Sequence, residues 1–228
     1  MLFHLLYPLS EQFAVFNVFR YITFRAASAV VTALLLCLLL GPTFIRGLRR
    51  LSIGQNIRDV GPDRHQVKAG TPTMGGLLIL FAVIVPTLLW ADLRNPYVWL
   101  AVGVTTGFGA IGFADDYLKV QRHQNLGLTA RTKMVLSIVV AVGAGIILLS
   151  LPNGHSFEPT VAFPFFKRAV ISLGALYVPF LAVVLVGSSH AVNLTDGLDG
   201  LAIGATLVAC LLYTSDAADD EYNVEVWV

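Results

Sequence analysis

From Ala26 to Ile45 the chain runs for 20 positions without an Asp, Glu, Lys or Arg, about the number an α-helix needs to cross the hydrocarbon core of a bilayer. The pattern recurs. Ala69 to Ala91 is uncharged for 23 positions and Asn95 to Ala114 for 20, and Met134 to Leu151 and Ala169 to about Ser188 follow. With 56% hydrophobic and 13% charged residues, the chain lies outside the range of soluble domains, in which about a quarter of residues are charged. It reads as an all-α protein, a polytopic transmembrane helical bundle with five full spans.

Part of a sixth span begins near Leu201, but its apolar run lasts only to Tyr213, too short to cross. Asp216, Asp219, Asp220, Glu221 and Glu225 then arrive together. The expectation is a transmembrane domain over residues 1–212 and an atypical acidic tail over 213–228, whose abrupt change of composition suggests a frameshift or splice scar. A genuine acidic cap is the alternative. Residues 1–20, with Phe3, Tyr7, Phe13, Phe16 and Phe19, read as an interfacial segment leading into the first span rather than a signal peptide. Cys37 and Cys210 each sit inside an apolar run and read as small hydrophobes. No zinc-ligand spacing is present.

Orientation follows from the basic residues. The segment after the first span carries Arg46, Arg49, Arg50, Arg58, Arg64 and Lys68, and that after the third carries Lys119, Arg122, Arg131 and Lys133. The positive-inside rule makes both cytoplasmic and puts the N-terminus outside. The loop expected at Ser189 to Gly200 is then cytoplasmic too.

Acidic residues gather on that side. Apart from Glu11 and the tail, eight remain, and four of them form two close pairs, Asp115 with Asp116 and Asp196 with Asp199. Carboxylates where an apolar run meets a basic loop call for a cationic partner. Magnesium suits, because it takes one or two carboxylates and completes its octahedron with water and phosphate oxygens. Neighbours on a helix diverge by about 100°, so Asp115 and Asp116 are not expected to grip one ion symmetrically; one is assigned to the metal, the other to proton transfer or support. If Asn193 to Gly200 is helical, Asn193, Asp196 and Asp199 share a face. Lys68, Lys119, Arg131 and Lys133 are natural phosphate partners, and cations beside carboxylates suggest phosphoryl transfer.

Each feature alone has a plainer explanation. An Asp-Asp pair can be a solvated helix end, and basic loops can be topology signals or anionic-lipid contacts. Gly70 to Gly76 can be a loop and helix start, and it is no Walker loop. His65, His123 and His190 lack metal spacing. Their convergence favours an enzyme.

Three motifs carry a resemblance: Lys68-Ala-Gly-Thr-Pro-Thr-Met-Gly-Gly76, Gly112-Phe-Ala-Asp-Asp-Tyr-Leu-Lys119 and Ala191-Val-Asn-Leu-Thr-Asp-Gly-Leu-Asp-Gly200. Over about Phe16 to Ala209 the chain resembles the polyprenyl-phosphate N-acetylhexosamine-1-phosphate transferases, and the Thr-Pro-Thr-Met motif favours the muramoyl-pentapeptide branch. The resemblance implies a magnesium-dependent transfer of phospho-N-acetylmuramoyl-pentapeptide from UDP-MurNAc-pentapeptide to undecaprenyl phosphate, giving lipid I and UMP in the bacterial inner membrane. It implies catalytic roles for Asp115, Asp116, Asp199 and Lys68. Substrate-binding roles fall to Thr73, Lys119, Lys133, Asn193 and Asp196, with Asp115, Asp116 or both at the metal. The lipid bilayer is a partner, a homodimer is expected, and nucleic acid is not.

That family has about ten membrane helices, with a further essential aspartate and a histidine-rich loop in its later half. This chain stops before both, so it is expected to match the N-terminal part and to be inactive alone. The alternatives are transfer of another UDP-N-acetylhexosamine 1-phosphate, a non-catalytic membrane fragment, and a cation transporter. The last would place its acids at mid-membrane.

Overall fold

The computed structural model describes residues 1–11, 13–50, 74–122, 127–151, 157–162 and 170–195, together with Gly204 and Thr206. In order these form α1 (Leu2–Leu6), two 3-10 stretches (Tyr7–Glu11 and Ala14–Arg20), α2 (Ile22–Arg50), α3 (Gly76–Trp90), α4 (Pro96–Arg122) and α5 (Ala130–Ser150). A small hairpin of β1 (Thr160–Ala162) and β2 (Val170–Ser172), a 3-10 turn (Gly174–Leu176) and α6 (Tyr177–Thr195) follow. Four helical segments are long and apolar enough to cross a membrane: Ile22–Leu48, Pro96–Gln121, Ala130–Ser150 and Gly174–Asn193. The fold is that of an all-α, multi-pass membrane protein.

The chain divides into two units, Met1–Leu181 and Ala182–Val228. In the first, α2 to α5 pack as successive antiparallel neighbours. Trp90 Nε1 donates to Thr32 Oγ1 at 3.0 Å between α3 and α2, satisfying an indole N–H that lipid could not. Phe19 stacks on the Trp90 ring at 6.0 Å, and the Arg25 guanidinium lies 4.3 Å above Phe3, so the N-terminal segment gathers aromatic rings around the end of α3. Between α3 and α4 the Asn95 side chain accepts from Tyr97 N at 2.9 Å and Pro96 takes the first helical position, a standard helix start.

Small residues bring the helices together. A Cβ on Gly107 of α4 would lie 3.0 Å from Val140 Cγ1 of α5, and one on Gly109 would lie 2.9 Å from Leu80 Cδ2 of α3. The buried positions Ala82, Ala141, Ala144 and Ser137 are equally small. Val30, Val31, Leu34, Leu35, Leu38 and Leu39 of α2 remain exposed, as expected of a face solvated by lipid tails.

Several boundaries differ from expectation. In the described part of the apolar run Ala69 to Ala91 the helix is the 15-residue α3, which starts at Gly76 because Met74 adopts a left-handed φ of 71°. The third span does not stop at Ala114: α4 continues to Arg122, which sets Asp115 and Asp116 inside a helix rather than at its end. The run from Ala169 does not start a helix, since Val170–Ser172 pairs antiparallel with Thr160–Ala162 and Gly174 has φ 51°. At its other end α6 runs on to Thr195, through what was expected to be loop. The sixth span and the acidic tail lie outside the described residues, apart from Gly204 and Thr206.

Candidate functional site: a carboxylate and ammonium cluster between α4 and α5

Asp115 and Asp116 lie seven and six residues before Arg122, the last residue of α4. Their divergence around the helix sorts them by environment: Asp115 turns inward and is 8% exposed, while the Asp116 side chain is 36% exposed.

Asp115 is held from several directions. Its Oδ1 accepts from Leu128 N at 2.8 Å, while its Oδ2 lies 2.8 Å from Lys119 Nζ and 3.5 Å from Lys133 Nζ. The turn can come this close because residue 127 is glycine. A Cβ there would overlap the Asp115 carboxylate and lie 2.7 Å from the Asp115 carbonyl oxygen.

Lys133 reaches the cluster from the first turn of α5. That turn starts at Thr129, whose Oγ1 accepts from Thr132 N at 3.2 Å, and the Lys133 carbonyl accepts from the buried Ser137 hydroxyl at 2.8 Å. Lys119 is four positions after Asp115 and three after Asp116, so its azimuth falls between them. Its Nζ lies 3.0 Å from Asp116 Oδ1 as well as 2.8 Å from Asp115 Oδ2. The adjacent carboxylates therefore share one ammonium. The 100° divergence is bridged by a long side chain rising between them, a geometry that reasoning from the pair alone did not anticipate.

Among the described residues two negative and two positive side chains thus meet at one end of the α4–α5 hairpin, where the burial of Asp115 strengthens its interactions. The structure brings together Asp115, Asp116, Lys119 and Lys133 of the expected set. Asn193 is exposed on the last turn of α6, in the second unit, and the helical alternative considered for its motif is followed as far as Thr195. Lys68, Thr73, Asp196 and Asp199 lie outside the described residues. Gly127 and the Leu128 amide were not foreseen; the only signal was a glycine between two leucines in a loop. Among the described residues no group of three or more His, Cys, Asp or Glu side chains is placed to hold a metal.

Residues 98–226 match the family model described as glycosyl transferase family 4, and residues 68–80 match signature 1 of phospho-N-acetylmuramoyl-pentapeptide-transferase. The chain is 56% identical over 214 residues to a protein of that name from Nitratidesulfovibrio vulgaris strain DP4, covering 94% of this chain and 59% of the relative. It is 51% identical over 213 residues to one from Syntrophus aciditrophicus, covering 93% and 58%. A third, from Koribacter versatilis, is 52% identical over 227 residues, covering 92% and 60%. The chain therefore spans somewhat under two thirds of the length of these curated relatives. With its second and third motifs inside a family match that takes in more than half its residues, the chain belongs to glycosyl transferase family 4.

Proposed function

We propose that the chain forms part of an enzyme that transfers phospho-N-acetylmuramoyl-pentapeptide from UDP-MurNAc-pentapeptide to undecaprenyl phosphate, releasing UMP and producing lipid I. The observation that carries this reading is the pairing, in one membrane chain, of the residue 68–80 signature with the Asp115, Asp116, Lys119 and Lys133 cluster on α4 and α5. Such a reaction joins a soluble nucleotide to a lipid whose tail stays in the bilayer. Its reacting groups belong at a helix end near the membrane surface, and the basic segments argue that this surface is the cytoplasmic face of the inner membrane.

The residues divide the work by exposure. Asp115, buried and engaged through both oxygens, acts as the fixed anchor that keeps Lys119 and Lys133 in place. Asp116, about one-third exposed, is the carboxylate a substrate can reach; it is suited to accept a proton or would help to hold a cation. Lys119 and Lys133 supply positive charge for phosphate oxygens. Lys68, Thr73, Asn193, Asp196 and Asp199 complete the proposed set, with Asp199 and Lys68 in catalytic roles.

The donor set fits magnesium. It is all oxygen, offers one accessible carboxylate, and already holds a cation between its two acids, leaving the remaining positions to water and phosphate. Asp116 would hold the ion, with Asp115 beside it, and the ion would supply neutralisation of diphosphate charge. A homodimer belongs to the same proposal.

The test is UMP release from UDP-MurNAc-pentapeptide in the presence of undecaprenyl phosphate and magnesium, with UDP-N-acetylglucosamine as a parallel donor. It is run on this chain and on a polypeptide of the relatives' full length. The full-length protein is expected to turn over the muramoyl donor and to lose at least about 100-fold activity on Asp116→Asn, and the 228-residue chain alone is expected to be silent. Turnover of only the N-acetylglucosamine donor would replace the proposed substrate with another of the same class.

A further inference from the structure

We propose that His4 is a proton-operated clasp. Its Nε2 accepts from the Leu93 amide while the imidazole is neutral and donates to Asp92 once the imidazole is charged, so that α1 stays tied to the turn between α3 and α4 in both states. This gives a conformational role to the end of α4 opposite the charged cluster, apart from the residues of the proposed reaction.

Two groups with opposite needs meet one atom. Leu93 N donates to His4 Nε2 at 3.2 Å, which requires a lone pair there, and Asp92 Oδ1 lies 3.1 Å from the same nitrogen, which requires a hydrogen. A ring nitrogen presents only one of these at a time. Asp92 is already placed, because its Oδ1 also accepts from Arg94 N at 3.0 Å within the turn, so a change of partner asks only for a small rotation of the ring. The His4 side chain is 25% exposed, which lets protons reach it. On the α1 side the ring packs edge-on against Phe3 at 5.1 Å, and Phe3 lies under the Arg25 guanidinium.

The charges around the ring act in opposite directions. The Asp92 carboxylate favours an imidazolium, whereas the Met1 amino group, which donates to Leu88 O and Leu89 O at 2.8 and 3.1 Å, and Arg25 and Arg94 oppose it. Tyr7, stacked on Phe3 at 5.5 Å, and Arg20 are the other titratable side chains described on the 3-10 stretches beside α1, and α3 has none. Each state meets a partner. The neutral ring takes the amide, and the imidazolium takes the carboxylate in a charge-assisted bond. The Leu93 amide then turns to water, in a turn whose next residues, Arg94 and Asn95, are exposed. This turn is on the side expected to face outward, where acidity follows the surroundings.

Asp92-Leu93 is the single Asp-Leu step in the sequence, so carbonyl-13C aspartate combined with 15N leucine gives one NMR signal, that of the Leu93 amide. In detergent micelles its protection from hydrogen exchange, corrected for intrinsic exchange, is expected to fall at least about tenfold from about pH 8 to about pH 5, the span in which histidine side chains gain a proton. The fall should follow the His4 imidazole 15N signal. Attachment is read in the same micelles by a nitroxide on Leu5→Cys, at a side chain 68% exposed, with Cys37 and Cys210 replaced by serine. The label is expected to stay immobilised at both pH values in the parent and to loosen at both in His4→Phe, which keeps a ring against Phe3. In Asp92→Asn, which keeps an acceptor for Arg94 N, it should loosen only at the lower pH. Constant Leu93 protection while the imidazole titrates would overturn the exchange of partners. A label as immobile in His4→Phe as in the parent would overturn the clasp itself, and one that does not loosen in Asp92→Asn at the lower pH would remove Asp92 as the acid-state partner. A parent label that loosens at the lower pH would overturn the clasp in favour of a release switch.

Discussion

At the scale of the residue, the cluster depends as much on what is missing at position 127 as on the four charges. Gly127 lets the α4–α5 turn settle on Asp115 and aims the Leu128 amide at Oδ1. Gly127→Ala should push the turn off the carboxylate and leave Asp115 short of a donor, at a stability cost of about 1–3 kcal/mol. The check is the midpoint of thermal unfolding in detergent, and a midpoint equal to that of the parent would contradict this account. Asp115, Asp116, Lys119 and Lys133 were legible in the sequence, because carboxylates beside cations at the edge of an apolar run are a chemical signal that needs no coordinates. The Leu128 contact was not, since a backbone amide has no letter of its own. Nor was the sharing of Lys119, which depends on where a third side chain falls around the helix.

At the scale of the element, α4 is shaped by two close approaches on different neighbours. Gly107 meets Val140 of α5, and Gly109 meets Leu80 of α3. Gly107→Leu should force α4 and α5 apart and destabilise the hairpin by about 1–3 kcal/mol, and Val140→Ala in the same chain should recover part of that loss. A double variant no more stable than Gly107→Leu would mean that the two side chains do not share this contact; unfolding of both variants in the same micelle decides it. Hydropathy located α2, α4 and α5 well, because a long uncharged run has few other outcomes in lipid. It misplaced the start of α6. Val170 and Ile171 are apolar enough for a span, but they are β-branched and sit opposite Thr160 to Ala162, so they pair as strands, and hydropathy alone does not separate the two outcomes. Nor does hydropathy show the start of α3, which Met74 sets by its left-handed backbone inside an uncharged stretch.

At the scale of the whole molecule, the testable statement is sidedness. The basic segments after α2 and α4 are expected to face the cytoplasm, and the Asp92 to Asn95 turn the opposite side. With Cys37 and Cys210 replaced by serine, Asn95→Cys should react with a membrane-impermeant thiol reagent in cells whose outer membrane is opened, whereas Gln124→Cys should react only after the inner membrane is breached. The reverse pattern would invert the topology and remove the proposed site from its nucleotide. The brevity of α3 adds a consequence of its own. At 15 residues it is about 22 Å long, short of the roughly 30 Å of a typical hydrocarbon slab. Its outer end is fixed by the turn into α4, so its other end, Gly76, lies within the depth of that slab and on the same flank as Asp115. Met74 there is non-helical and buried, and non-helical backbone at membrane depth is tolerated only against protein or a water-filled recess, so that flank is expected to admit water. A phosphate carried on a membrane-bound tail would then reach the depth of the cluster while its chain remained fully in oil.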